Sequence, residues 1–347
     1  MDGSSPTVSV RPFRADDAGR WDDFVHACAS GTFFHLSPWK RVIERAFGHR
    51  THYFLAERAG LVTGVLPLTQ IRSVLFGSSL ISNAFAVHGG PAAADEDSRQ
   101  ALDAAATRLM ERLGVPVLEM RSAAQRADWQ TKSGLYATFR KPILPAVEAN
   151  LKAVPRKQRA MIRKGMQNGL RSEVDADVGR LHRIYAESVR NLGTPVFAKS
   201  YFQILAEEFS TCCDIVTVTG NGRALAAVLN FYFRDAVLPF YGGGVHAARE
   251  VAANDFMYWE VMRRACERGC RVFDFGRSKT GTGAFAFKRN WGFEPTPLDY
   301  QFRLAAGRKA PELNPLNPKF RLLVAGWRRL PLPLATRLGP LIVKGIG

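Results

Sequence analysis

The stretch Phe273–Pro295, FDFGRSKTGTGAFAFKRNWGFEP, gathers side chains that could do chemistry. Asp274 sits between two phenylalanines. Arg277, Ser278 and Lys279 follow it on what reads as a buried strand, and all three suit substrate binding better than proton transfer. Gly281, Thr282 and Gly283 stand at the mouth of a helix expected over Ala284–Asn290, which carries Lys288. Gly276 and Gly281 have the spacing of a nucleotide hydrolase's phosphate loop. Thr282 stands where that loop requires lysine, so this chemistry fails. What remains is a glycine-rich helix start whose N–H groups attract anions when accessible, with Lys279 and Lys288 adding mobile charge. The alternative is a glycine turn at a strand-to-helix corner, ringed by solvated cations.

Three more residues carry possible chemistry. Asp274 accepts a proton if it faces a cleft, and is a paired structural carboxylate if it faces inward. Tyr241 precedes three glycines and is either a donor to a leaving group or a half-buried strand tyrosine. Asn230 lies in AAVLNFYF among apolar neighbours, where its amide must find a partner; a substrate would serve. The seven histidines lack metal-ligand spacing. His49 and His52 read as surface or capping residues. The five cysteines are odd in number and show no paired CxxC, which argues against zinc or a disulfide framework and fits a reducing cytosol. Cys266 and Cys270 read as core packing.

The net charge of +17 is concentrated. Residues 140–171 hold nine Lys/Arg against one Glu, a net +8; residues 306–347 hold eight against one, a net +7. Two basic segments predict two anionic contacts, phosphate groups or a membrane surface; general solubility explains clustering less well. Arg156, Arg159 and Arg163 share a helix face, with Lys164 beside them. The tail KFRLLVAGWRRLPLPLATRLGPLIVKGIG is basic, aliphatic and free of acids, and Pro331 and Pro333 break it into short helices. It reads as a peripheral membrane anchor or as a segment docked on the core. No apolar run is long enough to span a bilayer. The N-terminus lacks the pattern of a signal peptide, so a cytoplasmic location is expected.

Positioning these residues is the work of a repeat. YFLAERAGLVTGVLPLTQIRS from Tyr53 and IVTVTGNGRALAAVLNFYFRD from Ile215 both read as strand, tight turn, longer strand, with turns at Ala59-Gly60 and Asn221-Gly222. AVHGGP and FYGGGV follow, and then the amphipathic helices Ala101–Leu113 and Phe256–Arg268. Each helix stops at a glycine and leads into a short strand ending in Arg-Ser. Earlier helices are expected near Asp16–Cys28, Ser37–Phe47, Val178–Asn191 and Ser200–Phe209. The plan is α/β of the α+β kind, two tandem domains with mixed, largely antiparallel sheets, because regular β-α alternation is absent. The expected boundaries are 1–145, 146–305 with a basic linker helix over 146–169 that Pro155 breaks, and a tail over 306–347.

The tandem halves, the helix RKQRAMIRKG and the segment FAFKRNWGF resemble the FemAB family, whose fold is a pair of GNAT-type acyltransferase domains. LGTPVF at Leu192–Phe197, the stretch Phe273–Pro295 and WRRLPLPLATRLGPLIV at Trp327–Val343 are similar to phrases of its subgroup associated with exosortase and PEP-CTERM gene clusters. The resemblance covers nearly the whole chain. It implies an N-acyltransferase acting on an amine of a peptidoglycan-type or exopolysaccharide precursor, phosphate-bearing or lipid-linked, at the inner face of the membrane. Acyl-CoA or aminoacyl-tRNA would be the co-substrate, with no permanently bound cofactor. The chain shows no sustained heptads for the coiled-coil arm frequent in tRNA-dependent members. The resemblance also implies that Arg159, Arg163 and Lys164 border the acceptor site and that Trp39 and Lys40 approach it. Such a fold polarises the carbonyl with a splayed strand's backbone, so no Ser-His-Asp set is needed. Competing readings are a silent scaffold of an export system and a protein binding nucleic acid or another anionic polymer.

Overall fold

The computed structural model describes residues 7–73, 77–122, 124–308, 310 and 318–347. Part of the expected tail, residues 309 and 311–317, lies outside the described residues. In chain order the elements begin with β1 (Ser9–Pro12), α1 (Ala18–Ala27), α2 (Pro38–Phe47), β2 (Arg50–Arg58), β3 (Leu61–Ser73), β4 (Gly77–Ser82), β5 (Ala92–Ala93), α3 (Glu96–Leu113), β6 (Val117–Met120) and β7 (Gln130–Pro142). Next come α4 (Val147–Ala153), α5 (Arg156–Gln167), β8 (Arg171–Val174), α6 (Gly179–Leu192), α7 (Lys199–Glu208), β9 (Cys213–Gly220), β10 (Arg223–Phe233) and β11 (Ala236–Gly244). The series ends with α8 (Ala253–Glu267), β12 (Val272–Lys279), α9 (Gly283–Asn290), β13 (Pro295–Leu304), α10 (Pro318–Arg329) and α11 (Leu332–Val343).

The chain divides into two compact units, Met1–Gly134 with Leu298–Glu312 and Lys344–Gly347, and Leu135–Pro297 with Leu313–Val343. The sequence places the boundary after 145 and the last strand in the second half. Pairing decides otherwise. Arg303 of β13 lies opposite Leu118 of β6 in the first unit, while Ala137 of β7 lies opposite Ser278 of β12 in the second. A repeat in sequence cannot say which half a final strand will join.

In the first unit the strand order is β1-β2-β3-β4-β6-β13, with β5 on β3; β4 and β6 run parallel and the other pairs antiparallel. α3 packs on this sheet through Leu102, Ala106 and Leu109, against Leu66, Leu68 and Leu118. It starts where Asp95 accepts a 2.8 Å hydrogen bond from the Ser98 N–H and stops at Gly114. The second unit runs β7-β12-β11-β10-β9-β8, antiparallel except for β11 with β12. Its core holds Phe139, Trp259, Phe273, Trp291 and Phe293, all nearly or fully buried. Phe285 and Phe287 of α9 pack half-buried against it.

Both expected hairpins form. Ala59 and Gly60 have φ of 50° and 79°, Asn221 and Gly222 52° and 73°. Positive φ at both central residues is the turn whose twist matches paired strands. The basic linker becomes two helices, because Pro155 lacks the N–H needed to continue α4 and instead opens α5. The tail folds as α10 and α11 and docks on α6. A Cβ on Gly339 would lie 2.4 Å from the Val196 carbonyl oxygen, so only glycine permits that approach.

Candidate active site at the opening between two parallel strands

β11 and β12 pair only at Ala236–Val272 and Val237–Phe273. Beyond Val237 the edge of β11 that faces β12 is unpaired, while its other edge stays bonded to β10 through Gly244. The corresponding pair in the first unit, β4 with β6, remains in register to Ser82–Met120 at the end of β4. The parallel pair therefore opens in the second unit alone.

A bulge lies on each side of this opening. Leu229 faces Tyr241 and Asn230 faces Pro239, so Phe240 is the extra residue of β11. Arg140 faces Asp274 and Phe139 faces Gly276, so Phe275 is the extra residue of β12. An extra residue bends a strand and re-aims its side chains. Because directly paired residues share a face, Asp274, Arg277 and Lys279 lie on the same side of the sheet as Arg140, Thr138 and Tyr136. The Arg277 guanidinium lies 4.6 Å from the Tyr136 ring centre.

Asp274 is half-buried there, its Oδ1 accepting from the Gly276 N–H at 2.8 Å. Burial raises its pKa, and Arg140 and Lys288 pull it back. The Tyr241 hydroxyl is 2.9 Å from that of Tyr201. Burial holds its pKa well above the usual phenol value, with the Arg277 charge opposing. Tyr241 thus stays protonated and able to donate. Three glycines follow it because neighbours crowd β11: a Cβ on Gly242 would lie 2.8 Å from the Val228 side chain of β10, one on Gly243 2.4 Å from the Ser188 Oγ of α6, and one on Gly244 2.4 Å from the Asn254 Oδ1 of α8. No side chain from those positions fills the opening.

Other expected residues stand differently. Lys288 is not a mobile cation. Its Nζ donates to the carbonyls of Phe275, Gly276 and Arg277 at 2.6, 3.0 and 3.1 Å, and burial lowers its pKa to about 7. It ties down the β12 bulge. Ser278 lies on the opposite face from Arg277, buried, its Oγ without a partner among the described residues. The hydroxyl of Thr282 takes one N–H of the helix start, accepting from Phe285 at 3.3 Å and donating to the Lys279 carbonyl at 2.7 Å. Gly281 and Gly283 flank it on an exposed turn. Asn230, fully buried, finds its partner inside the protein, donating to Asp214 Oδ1 at 2.9 Å.

On α5, Arg163 and Lys164 are exposed, and half-buried Arg159 donates to the Lys152 carbonyl at 3.0 Å. The helix is held from beneath: Gln158 and Trp291 both donate to Asp255 Oδ1, at 2.9 and 3.1 Å. In the first unit, Trp39 is a core residue, fully buried with its indole donating to the Ala84 carbonyl at 3.1 Å. Lys40 pairs with Glu44 at 2.5 Å. Sequence reasoning missed Arg140, Tyr136 and Asp255. ATFRKP at the end of β7 looks like any strand end until its register with β12 is known. Among the described residues no cluster of His, Cys, Asp and Glu could hold a metal ion, and no helix is long and apolar enough to cross a membrane.

Residues 156–289, which include both β11 and β12, match the family described as acetyltransferase (GNAT) domain. The second unit carries a GNAT domain. Among solved structures, it is similar to FemX at 15% identity and a TM-score of 0.67, covering 84% of this chain and 96% of that one. A tandem GNAT protein from the clavulanic acid biosynthesis pathway matches at 12% identity and 0.52, covering 87% and 100%. The C-terminal domain of a putative lysylphosphatidylglycerol synthetase from Agrobacterium fabrum matches at 13% and 0.56, covering 84% and 93%. At these identities the likeness is one of fold. No curated protein matches the sequence. The GNAT domain is the unit that holds the open strand pair, and GNAT acyltransferase is the level of function that the match carries.

Proposed function

We propose that the second unit is an N-acyltransferase that moves an acyl or aminoacyl group onto an amine of a cell-envelope precursor of peptidoglycan or exopolysaccharide type. The observation that carries this reading is the opening between β11 and β12, flanked by Asp274 and Tyr241. The bare backbone edge of β11 supplies N–H groups to the reacting carbonyl, where fixed donors stabilise developing negative charge. The neutral amine attacks the carbonyl carbon and a C–N bond forms. The bond to the thiolate or ribose oxygen of the donor breaks. Asp274 takes the amine proton, and its raised pKa suits a base. Tyr241 gives a proton to the leaving group and is resupplied through Tyr201. Arg140, Arg277 and Lys279 make the same face cationic, and Arg159, Arg163 and Lys164 of α5 are the separate cluster that would hold the phosphate of the acceptor. The donor is acyl-CoA or aminoacyl-tRNA, bound only during turnover.

The names of two neighbours, FemX and a putative lysylphosphatidylglycerol synthetase, support aminoacyl transfer to an envelope molecule and a lipid-linked acceptor. The phrases at Leu192–Phe197 and Trp327–Val343 support a place in the exosortase-associated subgroup. The enzyme works in the cytoplasm, at the inner face of the membrane.

The test offers labelled acetyl-CoA, longer acyl-CoAs and charged tRNA to the purified protein with membrane extract. One donor class transfers its label to an amine. Asp274→Asn lowers kcat about 100-fold or more while donor affinity stays. If no donor binds at all, the scaffold reading replaces this one.

A further inference from the structure

The tail carries an outward face that the rest of the unit leaves bare. On α11, Ala335, Gly339 and Val343 are buried, and Gly339 sits against Val196. Leu334, Leu338 and Leu341 recur at the same helical spacing on the other side and are 48%, 43% and 74% exposed. On α10, Leu322 and Leu323 are 85% and 69% exposed. Leu192 at the end of α6 adds 58%, and its carbonyl accepts from Arg328 at 3.3 Å. Arg190 in turn donates to the Leu330 carbonyl at 3.2 Å. The helices are thus pinned by one side while their leucines face out. Apolar surface concentrated in this way marks a contact site.

We propose that α10 and α11 dock the protein on an anionic lipid bilayer. Charge selects this occupant. From residue 313 to 347 the chain has six Lys/Arg and no acid. A second copy of the same face would bring like charges together, whereas an anionic leaflet attracts them and takes the leucines into its boundary. The helices lie in the interface, since neither is long enough to span it. The inference stands apart from the acyl-transfer reading, because binding to vesicles requires no turnover.

Co-sedimentation of the full chain with vesicles tests it, using phosphatidylcholine alone or mixed with phosphatidylglycerol. The protein pellets with the mixed vesicles and stays in solution with the neutral ones, and added salt weakens the binding. The triple variant Leu334→Glu, Leu338→Glu and Leu341→Glu loses about tenfold or more in vesicle affinity. Its fold survives with at most a modest drop in melting temperature, because about half or more of each replaced side chain already faces solvent. Equal pelleting of the triple variant and the parent would overturn the proposal. So would a parent that ignores anionic vesicles, or one that is instead a dimer in light scattering and becomes a monomer on the same substitutions.

Discussion

Lys288 shows what a single residue's surroundings decide. As a cation near a helix start it reads as a ligand-binding lysine, yet its three protons all go to carbonyls of the neighbouring strand. The unfolded chain keeps the Lys288 proton up to about 10.5, whereas the folded chain releases it near 7. Between those values the unfolded state binds more protons, so through this residue folding stability rises with pH. Below 7 both states are charged and above 10.5 both are neutral, so the contribution is flat at either end. Replacing it by methionine removes that slope. Thermal melts across pH 7 to 10.5 should show the parent gaining stability relative to Lys288→Met, and parallel curves would refute the assignment.

Among the elements, α5, α8 and the C-terminal cap of α9 meet at one carboxylate. Asp255 is 8% exposed, and its Oδ1 receives both the Gln158 amide and the Trp291 indole. Asp255→Ala leaves two buried donors without a partner and should cost about 2 to 4 kcal/mol in chemical denaturation. A loss below about 0.5 kcal/mol would mean that water replaces the carboxylate. This hub was not legible in the sequence, because its three members lie far apart and only the fold brings them together. What was legible is what depends on local periodicity and turn chemistry. The helices over Pro38–Phe47 and Gly179–Leu192, the two hairpin turns and the break at Pro155 all follow from neighbours along the chain. Asn230 marks the limit: its burial was readable, but that its partner would be Asp214 depends on the β9–β10 register. Arg140 escaped notice for the same reason, as its place beside Asp274 is a matter of β7–β12 register.

Over the whole molecule, positive charge sits in two segments, and the remainder is nearly balanced. A uniform excess would serve solubility, whereas two clusters divide the labour. In the proposed reading the tail meets a lipid surface, and α5 meets a soluble or headgroup phosphate. Changing Arg156, Arg159 and Arg163 to glutamine should therefore lower kcat/KM for a phosphate-bearing acceptor about tenfold and flatten its salt dependence. Affinity for the acyl donor should not move. Equal losses toward donor and acceptor would place the helix at the donor instead.

The discontinuity of the first unit bears on how the protein is made. Its sheet takes β13, whose Leu298–Leu304 emerge from the ribosome only after all of the second unit's strands. Domains made in order usually fold in order, the leading one first. Here the leading one must wait, holding Leu118 and Met120 of β6 without the strand that covers that edge, until the trailing one has been synthesised. Nascent chains stalled before residue 298 should then present an unfinished half with a bare strand edge, a substrate for chaperones.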